Sequence, residues 1–169
     1  MGYALPAAIG VTIGSSCPTC VISGDGGMQM NIQELNIISK RKLPIKIFVV
    51  NNRALGHILL FQKSYLNERY YATDEREGDY FSCDFTRIAQ AYGIQAYKLK
   101  DENDIVNYES TLKNDLPVLY ELEYKDCSIL PNIHGGSDCL TSEPHLEEAV
   151  IRQILDLGFL RLEAPVQPG

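Results

Sequence analysis

GDGGMQMNIQELNIISKRKLPIKIFVVNN, residues 24–52, decides how this chain is read. It opens with an acidic residue in a glycine turn and closes on a doubled asparagine. Between them Ile32, Leu35 and Ile38, with Ile37 alongside, recur at the three-to-four spacing of an amphipathic helix over residues 31–40. Asn31 and Glu34 carry the pattern of an N-terminal cap. Leu43-Pro44 breaks the repeat, and residues 45–50 (IKIFVV) are rich in β-branched and aromatic side chains, as a buried strand is. Residues 20–23 (CVIS), just before the quoted stretch, are short, apolar and bounded by turn residues, which predicts a central strand. Strand, helix and strand in this order predict a right-handed parallel crossover.

Outward from this unit the same alternation continues. Residues 5–13 (LPAAIGVTI) predict a buried helix opening near Pro6 and ending at Gly14 and the Ser15-Ser16-Cys17-Pro18 cluster. A short helix is expected at residues 58–63. Residues 67–82 are polar, tyrosine-rich and aperiodic, and read as an excursion over the surface that could serve as a lid. Asp84 caps a helix that shows Phe85, Ile88, Ala89 and Tyr92 on one face and stops at Gly93. A strand near residues 95–99, a helix over 102–113 and a strand over 118–122 follow. Residues 131–144 read as a long loop, 145–157 as a last helix, and the tail as frayed. The fold class is α/β, a three-layer α/β/α arrangement around a mainly parallel sheet. Residues 1–157 form the domain and residues 158–169 the C-terminal tail.

Bulk properties exclude several classes. The formal charge is −7, and no Lys/Arg run exceeds Lys40-Arg41-Lys42, so nucleic acid is not an expected partner. No stretch approaches the roughly 20 apolar residues of a membrane span, and no cationic segment of a secretory signal opens the chain. Five cysteines in no even framework predict reduced thiols and a cytoplasmic setting. Cys17-Pro-Thr-Cys20 lacks a second ligand pair and precedes a strand, so it reads as a surface loop rather than a zinc or redox site.

The two ends of the quoted stretch carry the chemistry. In an open parallel sheet, ligands sit beyond the carboxyl ends of the strands. Gly24-Asp25-Gly26-Gly27 and Asn51-Asn52 both fall at such ends. Glycines expose successive N–H groups just before a helix, an arrangement that attracts phosphate. Asp25 beside a phosphate makes sense only with a cation between them. Its carboxylate, the Asn52 side-chain oxygen and a backbone carbonyl form an all-oxygen set suited to Mg²⁺. No P-loop lysine follows Gly27, and a dinucleotide fingerprint fails at its third glycine. A Mg²⁺-dependent phosphoryl-transfer or nucleotide-binding domain, and a non-catalytic remnant of the fold, remain alternative readings.

Gly24-Asp25-Gly26, about two dozen residues, then Asn51-Asn52 resembles the signature of thiamin diphosphate-dependent 2-oxo acid enzymes. MGYALPAAIG, SGDGGMQMNIQEL, LPIKIFVVNNRALG and DFTRIAQAYGI are similar to the C-terminal cofactor domain of acetolactate synthases, and the similarity covers most of residues 1–146. The resemblance implies the thiamin diphosphate-binding fold, incomplete at its N-terminus. It implies Mg²⁺ held by Asp25 and Asn52 side chains and the Ala54 carbonyl oxygen. It implies a diphosphate held at Gly24, Gly26 and Gly27, and Met1 supporting the bent cofactor. Leu55, Gly56 and His57 would border the active-site cavity. His57 stands where the synthases often carry an apolar residue, and Phe61 where tryptophan is common. Both would bear on substrate identity. No glutamate here matches the catalytic glutamate of the family, and Glu34 reads as structural.

The resemblance further implies decarboxylation of a 2-oxo acid such as pyruvate, with ligation of the product to a second carbonyl compound. It implies a chain that is inactive alone. The catalytic glutamate would come from a pyrimidine-binding domain or subunit, supplied by the rest of the polypeptide or by another chain. A homo-oligomer is expected, and so is the alternative of a two-subunit enzyme like sulfopyruvate decarboxylase.

Overall fold

Ile45, Ile47 and Val49, all fully buried, point one way from a strand whose other side carries Lys46, Phe48 and Val50. Apolar cover on both faces places this strand, β2 (Ile45–Asn51), inside a sheet. In the computed structural model, which describes residues 1–75 and 79–124, it lies between β1 (Thr19–Gly24) and β4 (Val118–Glu123). Strand β3 (Gln95–Leu99) pairs on the far side of β4. The order is β1-β2-β4-β3 and every pairing is parallel. The expected loop at 131–144, helix at 145–157 and tail at 158–169 lie outside the described residues.

Helices cover both faces, giving the three-layer arrangement. On one face α1 (Ala4–Ser15), α3 (Leu35–Arg41) and α5 (Phe85–Ala91) contribute Leu5, Ala8, Leu35, Ile38, Phe85 and Ala89 to a core with Val21, Ile47 and Leu119. On the other, a 3₁₀ segment (Glu102–Tyr108) and α6 (Glu109–Lys113) pack Ile105, Tyr108 and Leu112 against Val118 and Tyr120. Tyr120 stacks on Phe48 with ring centroids 5.0 Å apart. Lys46 is buried, and its ammonium donates to the Asn114 carbonyl and side-chain oxygens, both at 2.8 Å, and to the Leu116 carbonyl at 2.6 Å. This clamps the entry of β4 to β2.

Several local expectations change. The segment expected as a central strand, β1, is an edge strand among the described residues. Only Val21 is buried, while Ile22 is 68% exposed, because no described helix covers that end of the outer face. α1 is buried on one side only, through Leu5, Ala8 and Thr12, and leaves Val11 and Ile13 exposed. The helix expected over residues 31–40 is two pieces, a 3₁₀ turn (Ile32–Glu34) and α3. The Asn31 side chain makes no cap bond: its Oδ1 accepts from the Gln33 side-chain amide at 3.2 Å, and its NH₂ group donates to the Gly2 carbonyl at 2.7 Å. The expected helix over 102–113 likewise divides into 3₁₀ and α pieces, with Asp101 accepting from the Asn103 and Asp104 N–H groups. Asp84 does cap α5, accepting from the Arg87 N–H at 3.0 Å, and Gly93 follows with φ +78°. The short helix after the asparagines is longer than expected, α4 (Gly56–Tyr65). No helix of the described residues is long and apolar enough to cross a membrane.

Register sets the position of the site. Gly24 pairs with Val50 in the parallel ladder, so the residues following β1 and β2 leave the sheet side by side at its carboxyl edge.

Candidate functional site

The expected glycine turn is the first turn of a short helix. Gly24 is extended (φ −72°, ψ 161°), and the chain passes directly into α2 (Asp25–Gln29), so Asp25 is the first helical residue. The N–H groups of the first turn have no intrahelical acceptor, and Gly26 and Gly27 supply two of them. Gly26 also lets the two loops pack closely: a Cβ there would lie 2.2 Å from Leu55 Cδ2, so a side chain at residue 26 would displace the end of the Leu55 side chain.

From β2 the chain runs through Asn51 and Asn52 to Arg53, which adopts a left-handed conformation (φ 56°). The Asn51 side-chain oxygen accepts from the Arg53 N–H at 3.2 Å and fixes this reversal. Ala54, 2% exposed, then forms a bridge with Asp74, and the Leu55 N–H donates to the Thr73 carbonyl at 2.8 Å. The reversal turns the Ala54 carbonyl toward Asp25. One terminus of the Asn52 amide lies 2.8 Å from the Ala54 carbonyl oxygen and 3.1 Å from Asp25 Oδ1. With its NH₂ group at that point, Asn52 donates to both oxygens. A half-turn of the amide brings its own oxygen there.

Asp25 is 1% exposed. Burial pushes its carboxyl above the usual carboxylate range, although the Gly26 N–H, the Tyr80 hydroxyl and Ser82 favour the charged form. Among the described residues no Lys or Arg forms an ion pair with it. The Tyr80 hydroxyl donates to Asp25 Oδ2 at 3.0 Å. Burial, and then the adjacent Asp25 charge, push the Tyr80 phenol well above its ordinary value. Behind this pair is a buried polar chain. Ser82 Oγ donates to Asn51 Oδ1 at 2.8 Å, and Asn51 Nδ2 donates to Glu121 Oε1 at 2.8 Å. The Thr86 N–H, in the first turn of α5, donates to Glu121 Oε2 at 3.1 Å.

These elements enclose a cleft of about 460 Å³. Nine residues expected to hold the cofactor line it: Met1 from the entry to α1, Gly24, Asp25, Gly26 and Gly27 from the first crossover, and Asn52, Ala54, Leu55 and Gly56 from the second. His57 lines it as well. Phe61 does not; it is 54% exposed on α4, with its ring centroid 4.8 Å from that of Tyr65. Glu34 does not line the cleft either. Cys17 and Cys20 are exposed free thiols, and no group of three or more His, Cys, Asp and Glu side chains suited to a metal occurs among the described residues. Tyr80, Ser82, Asn51 and Glu121 were absent from the expected site. Only the doubled asparagine hinted at any of them.

Sheet, register and cleft define an α/β domain that receives its ligand at the carboxyl edge of a parallel sheet. Residues 1–121 match the family described as thiamine pyrophosphate enzyme, C-terminal TPP binding domain, and the chain belongs to that family. It is 39% identical over 137 residues to the acetolactate synthase large subunit of Porphyra purpurea, covering 78% of this chain and 21% of the relative. It is 34% identical over 140 residues to the acetolactate synthase isozyme 2 large subunit of Escherichia coli, covering 81% of this chain and 25% of that one. Among solved structures, the thiamine diphosphate-dependent 4-hydroxybenzoylformate decarboxylase of Rhodococcus jostii superposes with a TM-score of 0.64 at 25% identity, over 75% of this chain and 24% of that chain. The chain thus carries the TPP-binding domain of acetolactate synthase-like enzymes and spans between a fifth and a quarter of the length of these curated relatives.

Proposed function

We propose that this chain holds thiamin diphosphate through a Mg²⁺ ion bound by Asp25 Oδ1, the Asn52 side-chain oxygen and the Ala54 carbonyl oxygen. The observation that carries this reading is the spacing around Asn52. Mg²⁺–oxygen bonds of 2.0–2.1 Å put adjacent octahedral ligands about 2.9 Å apart. The Asn52 terminus lies 2.8 Å and 3.1 Å from its two oxygen neighbours. A buried carboxylate that forms no ion pair with a Lys or Arg among the described residues supplies the charge, and Gly26 and Gly27 line the cleft where backbone N–H groups at the start of a helix would favour a diphosphate.

When bound, the coenzyme supplies the carbanion-stabilising chemistry that decarboxylation requires. This chain's residues position it: Asp25, Asn52 and Ala54 through the metal, Leu55 by packing over Gly26, and His57 at the cleft wall. We place the chain in an enzyme that decarboxylates a 2-oxo acid such as pyruvate and ligates the product to a second carbonyl compound, in the cytoplasm. Its acid–base glutamate would come from a pyrimidine-binding domain, in the same polypeptide or a partner subunit, within a homo-oligomer. Met1, Tyr3 and Ile22 border the cleft while 73%, 79% and 68% exposed, which supports completion of the cleft by another domain.

Calorimetric titration of the chain with thiamin diphosphate, with and without Mg²⁺, and with ATP in its place, tests the reading. Binding that requires Mg²⁺ and discriminates against ATP is expected, with no release of CO₂ from pyruvate by the chain alone. Metal-independent binding or a preference for ATP would overturn the assignment.

A further inference from the structure

The two oxygens of the Asp25 carboxylate are given to different neighbours. Oδ2 accepts from the Tyr80 hydroxyl at 3.0 Å, whereas Oδ1 faces Asn52 and lies 3.1 Å from its amide terminus. The segment carrying Tyr80 is tied to the frame of the site on two sides. Gln29 Nε2, at the end of α2, donates to the Phe81 carbonyl at 3.3 Å and reaches Cys83 Sγ at 3.2 Å. Ser82 Oγ donates to Asn51 Oδ1 at 2.8 Å, and Asn51 is itself held by the fully buried Glu121. A tyrosine side chain has only two flexible torsions, so a fixed backbone limits its hydroxyl to a few places, and the bond to Asp25 Oδ2 holds it in one of them. That place is above the first turn of α2, where a Cβ on Gly26 would come within 3.6 Å of the phenol oxygen.

A carboxylate can offer a cation one oxygen or both. Mg²⁺ demands near-ideal octahedral geometry at 2.0–2.1 Å, whereas Ca²⁺ takes six to eight oxygens at 2.3–2.6 Å and accepts bidentate carboxylates readily. A donor held on Oδ2 takes one of that oxygen's two lone pairs and part of its charge, which disfavours a bidentate contact. We propose that Tyr80 is a positioning residue of the cation site, and that its hydroxyl on Asp25 Oδ2 presents Oδ1 alone and so selects Mg²⁺ over Ca²⁺. The proposal rests on the assignment of Asp25, Asn52 and Ala54 as ligands.

The test is Tyr80→Phe in the full chain, titrated calorimetrically with Mg²⁺ and separately with Ca²⁺ at saturating thiamin diphosphate. Loss of an outer-shell partner typically weakens metal binding about tenfold or more. Mg²⁺ affinity falls by about tenfold while Ca²⁺ affinity changes by less than about twofold, so the ratio of the two drops. Gln29→Ala, which loosens the Tyr80 segment without touching Asp25, shifts the ratio in the same direction. The melting temperature of the metal-free protein reports folding in each case. An unchanged ratio in both variants, or an equal loss for both ions, overturns the role of Tyr80 and leaves the ligand assignment standing. Wild-type chain that binds neither ion overturns the ligand assignment, and the role of Tyr80 with it.

Discussion

Asp25→Asn is the substitution on which the cation reading turns. The variant keeps the shape of the side chain and an oxygen for the Tyr80 hydroxyl, and removes one negative charge. A unit charge about 2 Å from a divalent ion is worth about 4 kcal/mol even at the dielectric constant of water. Desolvating the carboxylate normally offsets part of that gain. Here the offset is small, because the side chain is already 1% exposed before any ion arrives. A loss of at least 100-fold in thiamin diphosphate affinity in Mg²⁺, about 2.8 kcal/mol, is therefore expected. The metal-free protein should respond in the opposite sense. Burial disfavours the Asp25 charge more than its donors favour it, so a neutral residue relieves the fold. Scanning calorimetry of both proteins, with and without Mg²⁺ and coenzyme, reads the two effects together. Ligand at 100 times its Kd stabilises wild type by about 2.7 kcal/mol, roughly 5–10 °C for a chain of this size. The metal-free variant should melt at or above wild type and gain nothing from the ligand. A variant that kept affinity within about tenfold of wild type, or lost several degrees when metal-free, would refute the assignment of Asp25 as the charged ligand.

Two further outcomes are expected. Asn51→Leu fits the space but strips the buried Glu121 carboxylate, the Ser82 hydroxyl and the Arg53 N–H of their shared partner; the cost is about 3 kcal/mol in urea denaturation, and a loss below about 1 kcal/mol would show that the network is not what holds the loop. At Asp84, burial raises the carboxyl pKa, but the Thr86 hydroxyl, the Arg87 N–H and Lys98 outweigh it and bring the group from 3.8 to about 2. A lowered folded-state value stabilises above the unfolded value and is lost as pH falls through the folded one. Wild type should therefore exceed Asp84→Asn by about 1 kcal/mol at neutral pH, after discounting for a side chain that is 34% exposed. That gap should close between pH 3.8 and 2 in acid titrations; a gap that persisted at pH 2 would assign the difference to capping geometry instead of charge.

The sheet was legible because its strands are short apolar runs punctuated by Pro44, Gly93 and Pro117, and residues 45–50, rich in β-branched and aromatic side chains, form the buried strand expected of them. What failed was position within the sheet. An edge strand and a central strand of four apolar residues look alike in sequence, and whether Ile22 is covered depends on which helices reach it. The broken helix at Asn31 failed for a related reason. Its residues alternate at helical spacing, but Asn31 gives its amide to Gly2, 29 positions away, and that tertiary bond overrides local propensity.

The site divides along the same line. Gly-Asp-Gly-Gly and Asn-Asn are local chemistry, and a parallel register with Gly24 opposite Val50 was enough to bring them together. The bond from Tyr80 to Asp25 spans 55 positions, and no periodicity carries it. Residues 67–82 read as an excursion because a polar, aperiodic segment cannot bury a face of its own. That composition says nothing about where the segment is tied. In the structure its described residues are tied to the loops that form the site at the middle and at the C-terminal end: Thr73 and Asp74 pair with Leu55 and Ala54, and Tyr80 and Ser82 reach Asp25 and Asn51. A segment pinned in this way cannot swing clear as a free lid without breaking bonds to the residues it would uncover. The physical role that follows is bracing. The surface loop fixes the geometry of a carboxylate whose own neighbours in sequence, Gly24, Gly26 and Gly27, have no side-chain donors to do so.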